Sequence, residues 1–198
     1  MKKFIAATKN KGKIREISEI LANFPYQVLS MESVGINIDI EETGSTFEEN
    51  ALIKAREICG ITGEIVMADD SGLEVDYLNG APGIYSARFA GENASDEEKN
   101  TKLLNLLNDV PFENRTARFI CVIAVVFPGG DSFTVKGTCE GYIAFEPKGI
   151  NGFGYDPIFY VPQYQMTTAQ MKSELKHEIS HRGKALRLMV DELQSRFK

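Results

Sequence analysis

Cysteine is scarce in this chain of 198 residues: Cys59, Cys121 and Cys139 are odd in number, widely spaced and form no CxxC pair. That pattern excludes a disulfide framework and a thiolate zinc site, and three buried thiols are the expectation. Long apolar runs are missing too. Nothing approaches the roughly 18 residues that a membrane-crossing helix needs, and the apolar stretch after Met1-Lys2-Lys3 is too short for a secretory signal core, which points to the cytoplasm. Positive charge is in deficit, with a net charge of -6. The broad basic face that binds long nucleic acid by displacing counterions is therefore not available, although a small phosphorylated ligand needs only a local cluster. Neither common phosphate loop occurs: there is no GxxxxGK[ST], and Gly149 to Gly154 runs GxxGxG, the reverse of the dinucleotide fingerprint. A P-loop kinase and a Rossmann dehydrogenase are set aside on that ground.

What is present is an ordinary globular composition, 43% hydrophobic and 25% charged. The length suits one domain over 1–198, with room for two lobes but short for two independent cores. Phe4 to Ala7 reads as a buried strand, and Ile14, Ile17, Leu21 and Phe24 then recur at helical spacing. The loop Thr8 to Gly12 would thus offer amides at a helix N-terminus, where an anion is favoured. Thr46 and Glu49 have capping-box spacing and predict a second helix, from which Lys54 projects; Ser95 and Glu98 predict a third, with nothing catalytic on it.

Ile65 to Met67 and Leu73 to Val75 read as two strands, which places Asp69-Asp70 at a turn between them. Phe119 to Phe127 reads as a central strand turning at Pro128-Gly129-Gly130 into Ser132 to Thr138, with a further strand over Tyr142 to Phe145. The last third supplies a glycine-rich loop, a strand over Ile158 to Val161, a short helix over Ala169 to Leu175 and a final helix capped by Ser180. The stripe of that final helix is Leu186, Met189, Val190, Leu193 and Phe197.

Four features carry chemistry. Lys9, Lys11 and Lys13 form a cation cluster suited to phosphate, or else a solvated turn. Glu41-Glu42 and Asp69-Asp70 supply hard oxygen ligands of the kind Mg²⁺ takes together with substrate phosphates, or else simple turn charges. Adjacent strand residues point to opposite sides, so one member of each pair is expected to face a site. Phe153, Gly154 and Tyr155 place aromatics among glycines, where a base could lie against a ring. His181 and Arg182 fall in the first turn of the last helix, where cations oppose the helix dipole unless an anion or an electron-rich base edge meets them.

Taken in order, TKNKGKIRE, TGSTFEENA, ADDSGLEVDYLNGAPGIYSARFAG, GFGYDPIF and ISHRGKAL closely resemble the inosine triphosphate pyrophosphatase family, which cleanses nucleotide pools of deaminated purines, over Phe4 to about Leu188. The resemblance implies an elongated two-lobed α/β fold, a mixed sheet flanked by helices, an active cleft between the lobes, and a homodimer. It also implies that Thr8, Asn10 and Lys13 hold a triphosphate with Lys54 and Ser71, Lys9, Lys11 and Gly12 lying in the same loop. Glu41 and Asp70 would hold Mg²⁺ and ready the attacking water, with Asp70 catalytic; a one-residue shift would exchange Glu41 for Glu42, or let Asp69 share with Asp70. Phe153 would stack on the base within the Gly154-Tyr155 loop, and Asp156, Lys176, His181 and Arg182 would surround its edge.

The function so implied is Mg²⁺-dependent hydrolysis of ITP, dITP and XTP to the monophosphate and pyrophosphate. Two alternatives stay open: a related pyrophosphatase for modified pyrimidines, against which the Lys176 to Arg182 cluster counts, and a non-enzymatic nucleotide sensor, which would not need Asp70.

Overall fold

The computed structural model describes residues 3–196, so Phe197 of the expected helical stripe lies outside the described residues. In chain order the elements are β1 (Lys3–Ala6), α1 (Lys11–Ile20), β2 (Gln27–Ser30), α2 (Phe47–Thr62), β3 (Ile65–Val75) and α3 (Asp96–Leu106). They continue with β4 (Thr116–Val126), β5 (Ser132–Ile143), β6 (Phe159–Val161), β7 (Met166–Thr167), α4 (Ser173–Ile179) and α5 (His181–Arg196). The strands form one seven-stranded sheet in the order β2-β1-β3-β4-β5-β6-β7. β1 pairs parallel with both β2 and β3, whereas β6 pairs antiparallel with β5 and β7, so the sheet is mixed and the fold is α/β.

The chain divides into two compact units, Met1–Asp70 with Cys121–Gly137 and Arg182–Lys198, and Ser71–Ile120 with Thr138–His181. In the first, Ile17 of α1, Leu21 just after it and Leu186, Met189 and Leu193 of α5 pack with Phe4, Met67 and Ile123. In the second, Leu103 and Leu107 pack with Leu73, Phe119, Ile158 and Phe159. β3, β4 and β5 run for 11, 11 and 12 residues and contribute to both clusters. All three cysteines are buried thiols.

The helix starts follow their caps. Asn10 is the N-cap of α1 and its side chain accepts from Lys13 N–H, so Gly12 belongs to the first turn of the helix rather than to the loop before it. Thr46 caps α2 through Glu49 N–H, while the Glu49 carboxylate bonds Ser45 instead of closing the box on Thr46. Ser95 and Glu98 form the full reciprocal box on α3.

Three expectations change. Asp69-Asp70 lies inside the continuous strand β3, not at a turn. β5 runs unbroken through Gly141 and absorbs the start of the separate strand expected from Tyr142. The short helix expected at Ala169 begins only at Ser173, because Thr167 and Gln170 close their own capping box around the tight turn Thr168–Gln170.

Candidate active site

Within the first unit, β3 carries two carboxylates in different surroundings. Asp69 is completely buried: its side chain pairs with Lys13 Nζ, Arg182 Nε donates to its Oδ2 at 2.8 Å, and Cys121 Sγ lies 3.1 Å from the same oxygen. Burial alone would raise its pKa, but the Arg182 and Lys13 charges outweigh that and hold it well below the usual carboxylate range. The opposite arm of Arg182 meets Glu16 Oε2 at 2.5 Å, so a buried chain of charges runs from α5 to β3 and α1.

Asp70 faces Lys54 of α2. Lys54 Nζ lies 2.9 Å from Asp70 Oδ1, 2.7 Å from Glu42 Oε1 and 3.0 Å from the Asp69 carbonyl oxygen. Lys13 Nζ donates to that same carbonyl at 3.3 Å, so both ammonium groups converge on one peptide oxygen. Burial lowers the affinity of Lys54 for its proton, yet Asp70 and Glu42 reverse this and its pKa is raised. The Asp70 pKa is also raised: desolvation leads, Lys54 and Lys13 offset it only in part, and the Glu42 charge adds to the rise. The two shifts reflect an asymmetry, since Lys54 has two carboxylates while Asp70 shares its lysine with one. Asp70 Oδ2 is buried without a hydrogen-bond partner among the described residues, a state with a desolvation cost unless a further donor or a cation meets it.

Glu41 is exposed, and Glu42 is the acidic neighbour that reaches Lys54. The segment carrying both is fixed by Gly44, whose N–H donates to the buried Asn50 Oδ1 at 2.8 Å. A Cβ at Gly44 would come within 2.6 Å of Glu49 Cβ, so no larger residue lets the segment lie this close to α2. Among the described residues no group of three or more His, Cys, Asp or Glu could by itself hold a metal. One or two carboxylates with room for phosphate oxygens is the donor set Mg²⁺ takes, and Asp70 Oδ2 with the neighbouring Glu42 fits it. In the lysine loop, Thr8 Oγ1 accepts from Asn10 N–H at 3.2 Å and Lys9 pairs with Asp39 at 2.7 Å, while Lys11 is exposed on the first turn of α1.

Within the second unit, the glycine loop surrounds Phe153. Asp156 Oδ2 accepts from Phe153 N–H at 2.8 Å and from Lys176 Nζ at 2.5 Å, and its Oδ1 accepts from Thr168 Oγ1 at 2.7 Å. Lys176 Nζ also stands 5.3 Å from the centroid of the half-buried Phe153 ring. Gly152 has φ +80, and a Cβ there would meet Asp156 Oδ2 at 2.0 Å, so glycine is required. Tyr155 is buried, with its hydroxyl donated to the Ser86 carbonyl at 2.9 Å, which gives it a structural contact within the unit. His181 is buried and stacks on Phe119 with centroids 4.7 Å apart. Ser71 follows Asp70 on β3 and is half-buried.

The residues expected at the base edge thus divide. Asp156, Lys176 and His181 belong to the second unit, whereas Arg182 is held in the first by Asp69 and Glu16. Glu16 and Thr168 did not stand out in the sequence. Each is a buried partner of an expected residue, Arg182 and Asp156 respectively, and no spacing rule marks such a pairing.

A β-strand bearing adjacent buried carboxylates that face separate lysines, beside a helix-capping lysine loop, defines a phosphate-handling α/β enzyme. The Ham1 family pattern matches residues 4–192. The chain is 53% identical over 189 residues to the dITP/XTP pyrophosphatase of Desulforamulus reducens, covering 96% of this chain and 94% of that one. It is 51% identical to the dITP/XTP pyrophosphatase of Geobacter sulfurreducens, covering 98% and 97%. Among solved structures it is similar to the Staphylococcus aureus Ham1 protein, with TM-score 0.87 and 47% identity over 98% of this chain and 100% of that one. A HAM1 protein from Coxiella burnetii gives TM-score 0.89 and 44% identity, again covering 98% and 100%. The chain belongs to the Ham1 family.

Proposed function

We propose that the protein hydrolyses deaminated purine nucleoside triphosphates, ITP, dITP and XTP, to the nucleoside monophosphate and pyrophosphate, and so cleanses the nucleotide pool. The relatives named dITP/XTP pyrophosphatase support the substrate class. The observation that carries the chemistry is Lys54 shared by Asp70 and Glu42, with one buried Asp70 oxygen left open among the described residues.

In this reading Lys13 and Lys54, with Thr8, Asn10 and Ser71, bind the phosphates, and the two ammonium groups are held in advance where negative charge grows on the leaving pyrophosphate. Water adds to the α-phosphorus as the bond from that phosphorus to the bridging oxygen breaks. Asp70 takes the proton released by the water. Asp70 and Glu42, the latter in place of Glu41, would hold Mg²⁺, which supplies Lewis-acid charge at the phosphates when bound. Asp69 and Arg182 set Lys13 rather than touch the reacting atoms.

Phe153 supports the base, and Lys176, held by Asp156, presents a donor to its edge. Hypoxanthine and xanthine carry a 6-oxo acceptor there, whereas the 6-amino group of adenine would leave that donor unmatched, at about 1–3 kcal/mol. Comparison of kcat/KM for ITP, XTP and ATP tests the reading. ITP and XTP should lead ATP by at least tenfold, and equal efficiency for ATP would overturn the base assignment.

A homodimer belongs to the same proposal, and sedimentation equilibrium reads it directly. So does a cytoplasmic location; no helix among the described residues is long and apolar enough to cross a membrane.

A further inference from the structure

We infer that Asp96 and Asn100, in the first turns of α3, are positioning residues that clamp the backbone of Gly154 and thereby set the ring of Phe153. The two lie four residues apart and so share one face of the helix. Asp96 Oδ2 accepts from Gly154 N–H at 2.6 Å, and Asn100 Nδ2 donates to Gly154 C=O at 3.1 Å. The first bond fixes the peptide plane joining Phe153 to Gly154, and the second fixes the plane joining Gly154 to Tyr155. On the other side, Asp156 Oδ2 accepts from Phe153 N–H at 2.8 Å and fixes the plane before Phe153. Both peptide planes that flank Phe153 are therefore pinned by carboxylates, one from α3 and one from the loop itself.

Two details indicate that α3 is built for this contact. The second oxygen of Asp96 is held by Lys99 Nζ at 2.7 Å, so the carboxylate is aimed rather than mobile. Asn100 is buried, yet its Oδ1 has no hydrogen-bond partner among the described residues. An apolar residue would fill that place without a buried orphan acceptor, so the amide is accounted for by the donor it gives to Gly154. Gly154 itself has φ +62, a left-handed conformation that external hydrogen bonds on both its polar groups stabilise.

The inference rests on the reading of Phe153 as the support for the base, and the experiment separates the two. The chain contains no tryptophan, so Phe153→Trp introduces a single reporter at the ring position. In that background Asp96→Ala and Asn100→Ala should each enlarge the fast component of the time-resolved fluorescence anisotropy. In the otherwise native chain the same two substitutions should raise KM for ITP about tenfold, leave kcat within about twofold and narrow the ITP to ATP preference; a tenfold change corresponds to about 1.4 kcal/mol. Asp96→Asn keeps an acceptor for Gly154 N–H and should restore most of the KM. Asp96 is partly exposed, so its variants test the clamp even where Asn100→Ala does not fold. Unchanged anisotropy in Asp96→Ala overturns the clamp while leaving the Phe153 reading intact. A looser ring with unchanged KM and preference overturns the Phe153 reading, and the positioning role with it. Loss of kcat at constant KM also contradicts the proposal.

Discussion

Lys54 Nζ lies 2.9 Å from Asp70 Oδ1, and the other oxygen of that carboxylate is buried without a hydrogen-bond partner among the described residues. A lysine that neutralises half of a carboxylate leaves the second half poised for a proton or a cation. The next residue back, Asp69, is the reverse case, saturated by Lys13, Arg182 and Cys121. Strand alternation separates the two, and with it the proposed reaction chemistry from framework.

Asp70→Asn should therefore lower turnover of ITP by roughly 10²–10⁴-fold with the fold intact. Steady-state kinetics beside a thermal melt measure both effects. Turnover near the native rate would remove Asp70 from its proposed role.

Asp69→Asn should behave differently. Arg182 and Lys13 would lose a fully buried partner, a change on the order of 3 kcal/mol, or roughly 6–12 °C in Tm for a chain of this size. Differential scanning calorimetry of the two neighbouring variants makes the comparison; equal Tm values would contradict the framework role of Asp69.

Glu42→Gln should raise the Mg²⁺ concentration needed for half-maximal activity about tenfold, and Glu41→Gln should leave it within about twofold, since the exposed Glu41 is not the neighbour that meets Lys54. Isothermal titration with Mn²⁺ in place of Mg²⁺ gives a readout independent of turnover. The opposite ranking would return the role to Glu41.

The Asp96 carboxylate has its pKa lowered: burial opposes the charge, but the Lys99 side chain and Gly154 N–H outweigh it. A carboxyl more acidic in the folded state stabilises the fold above its unfolded pKa, and that contribution is lost as pH falls through the lower folded value. Asp96→Asn should thus lower Tm at neutral pH by the equivalent of about 0.3–1 kcal/mol, including loss of a negative charge at a helix start. The difference should close once pH falls below the ordinary carboxylate range. A Tm difference that widened in acid would have the wrong sign.

Local signals made much of the fold legible. The caps at Thr46 and Ser95 mark α2 and α3, and the β-branched run after Phe119 marks β4. The errors came where distant partners override local pattern. Asp69-Asp70-Ser71-Gly72 has turn composition, yet it continues as strand because Lys13, Lys54 and Arg182 satisfy the acids from far along the chain. Gly141 looks like a break in β5, but a Cβ there would come within 2.5 Å of the Tyr160 carbonyl, so glycine lets the neighbouring strand approach. For the same reason the sequence could not show that Glu42, and not Glu41, is the neighbour that meets Lys54. The role of α3 was hidden because its contacts reach 54 and 58 residues ahead to Gly154.

The central claim is hydrolysis at the α-phosphorus by a water molecule that Asp70 deprotonates. It is tested most directly by hydrolysing ITP with Mg²⁺ in ¹⁸O-enriched water and weighing both products by mass spectrometry. The label should appear in IMP, with unlabelled pyrophosphate as the other product. Label in pyrophosphate, or IDP and orthophosphate as the first products, would contradict the account.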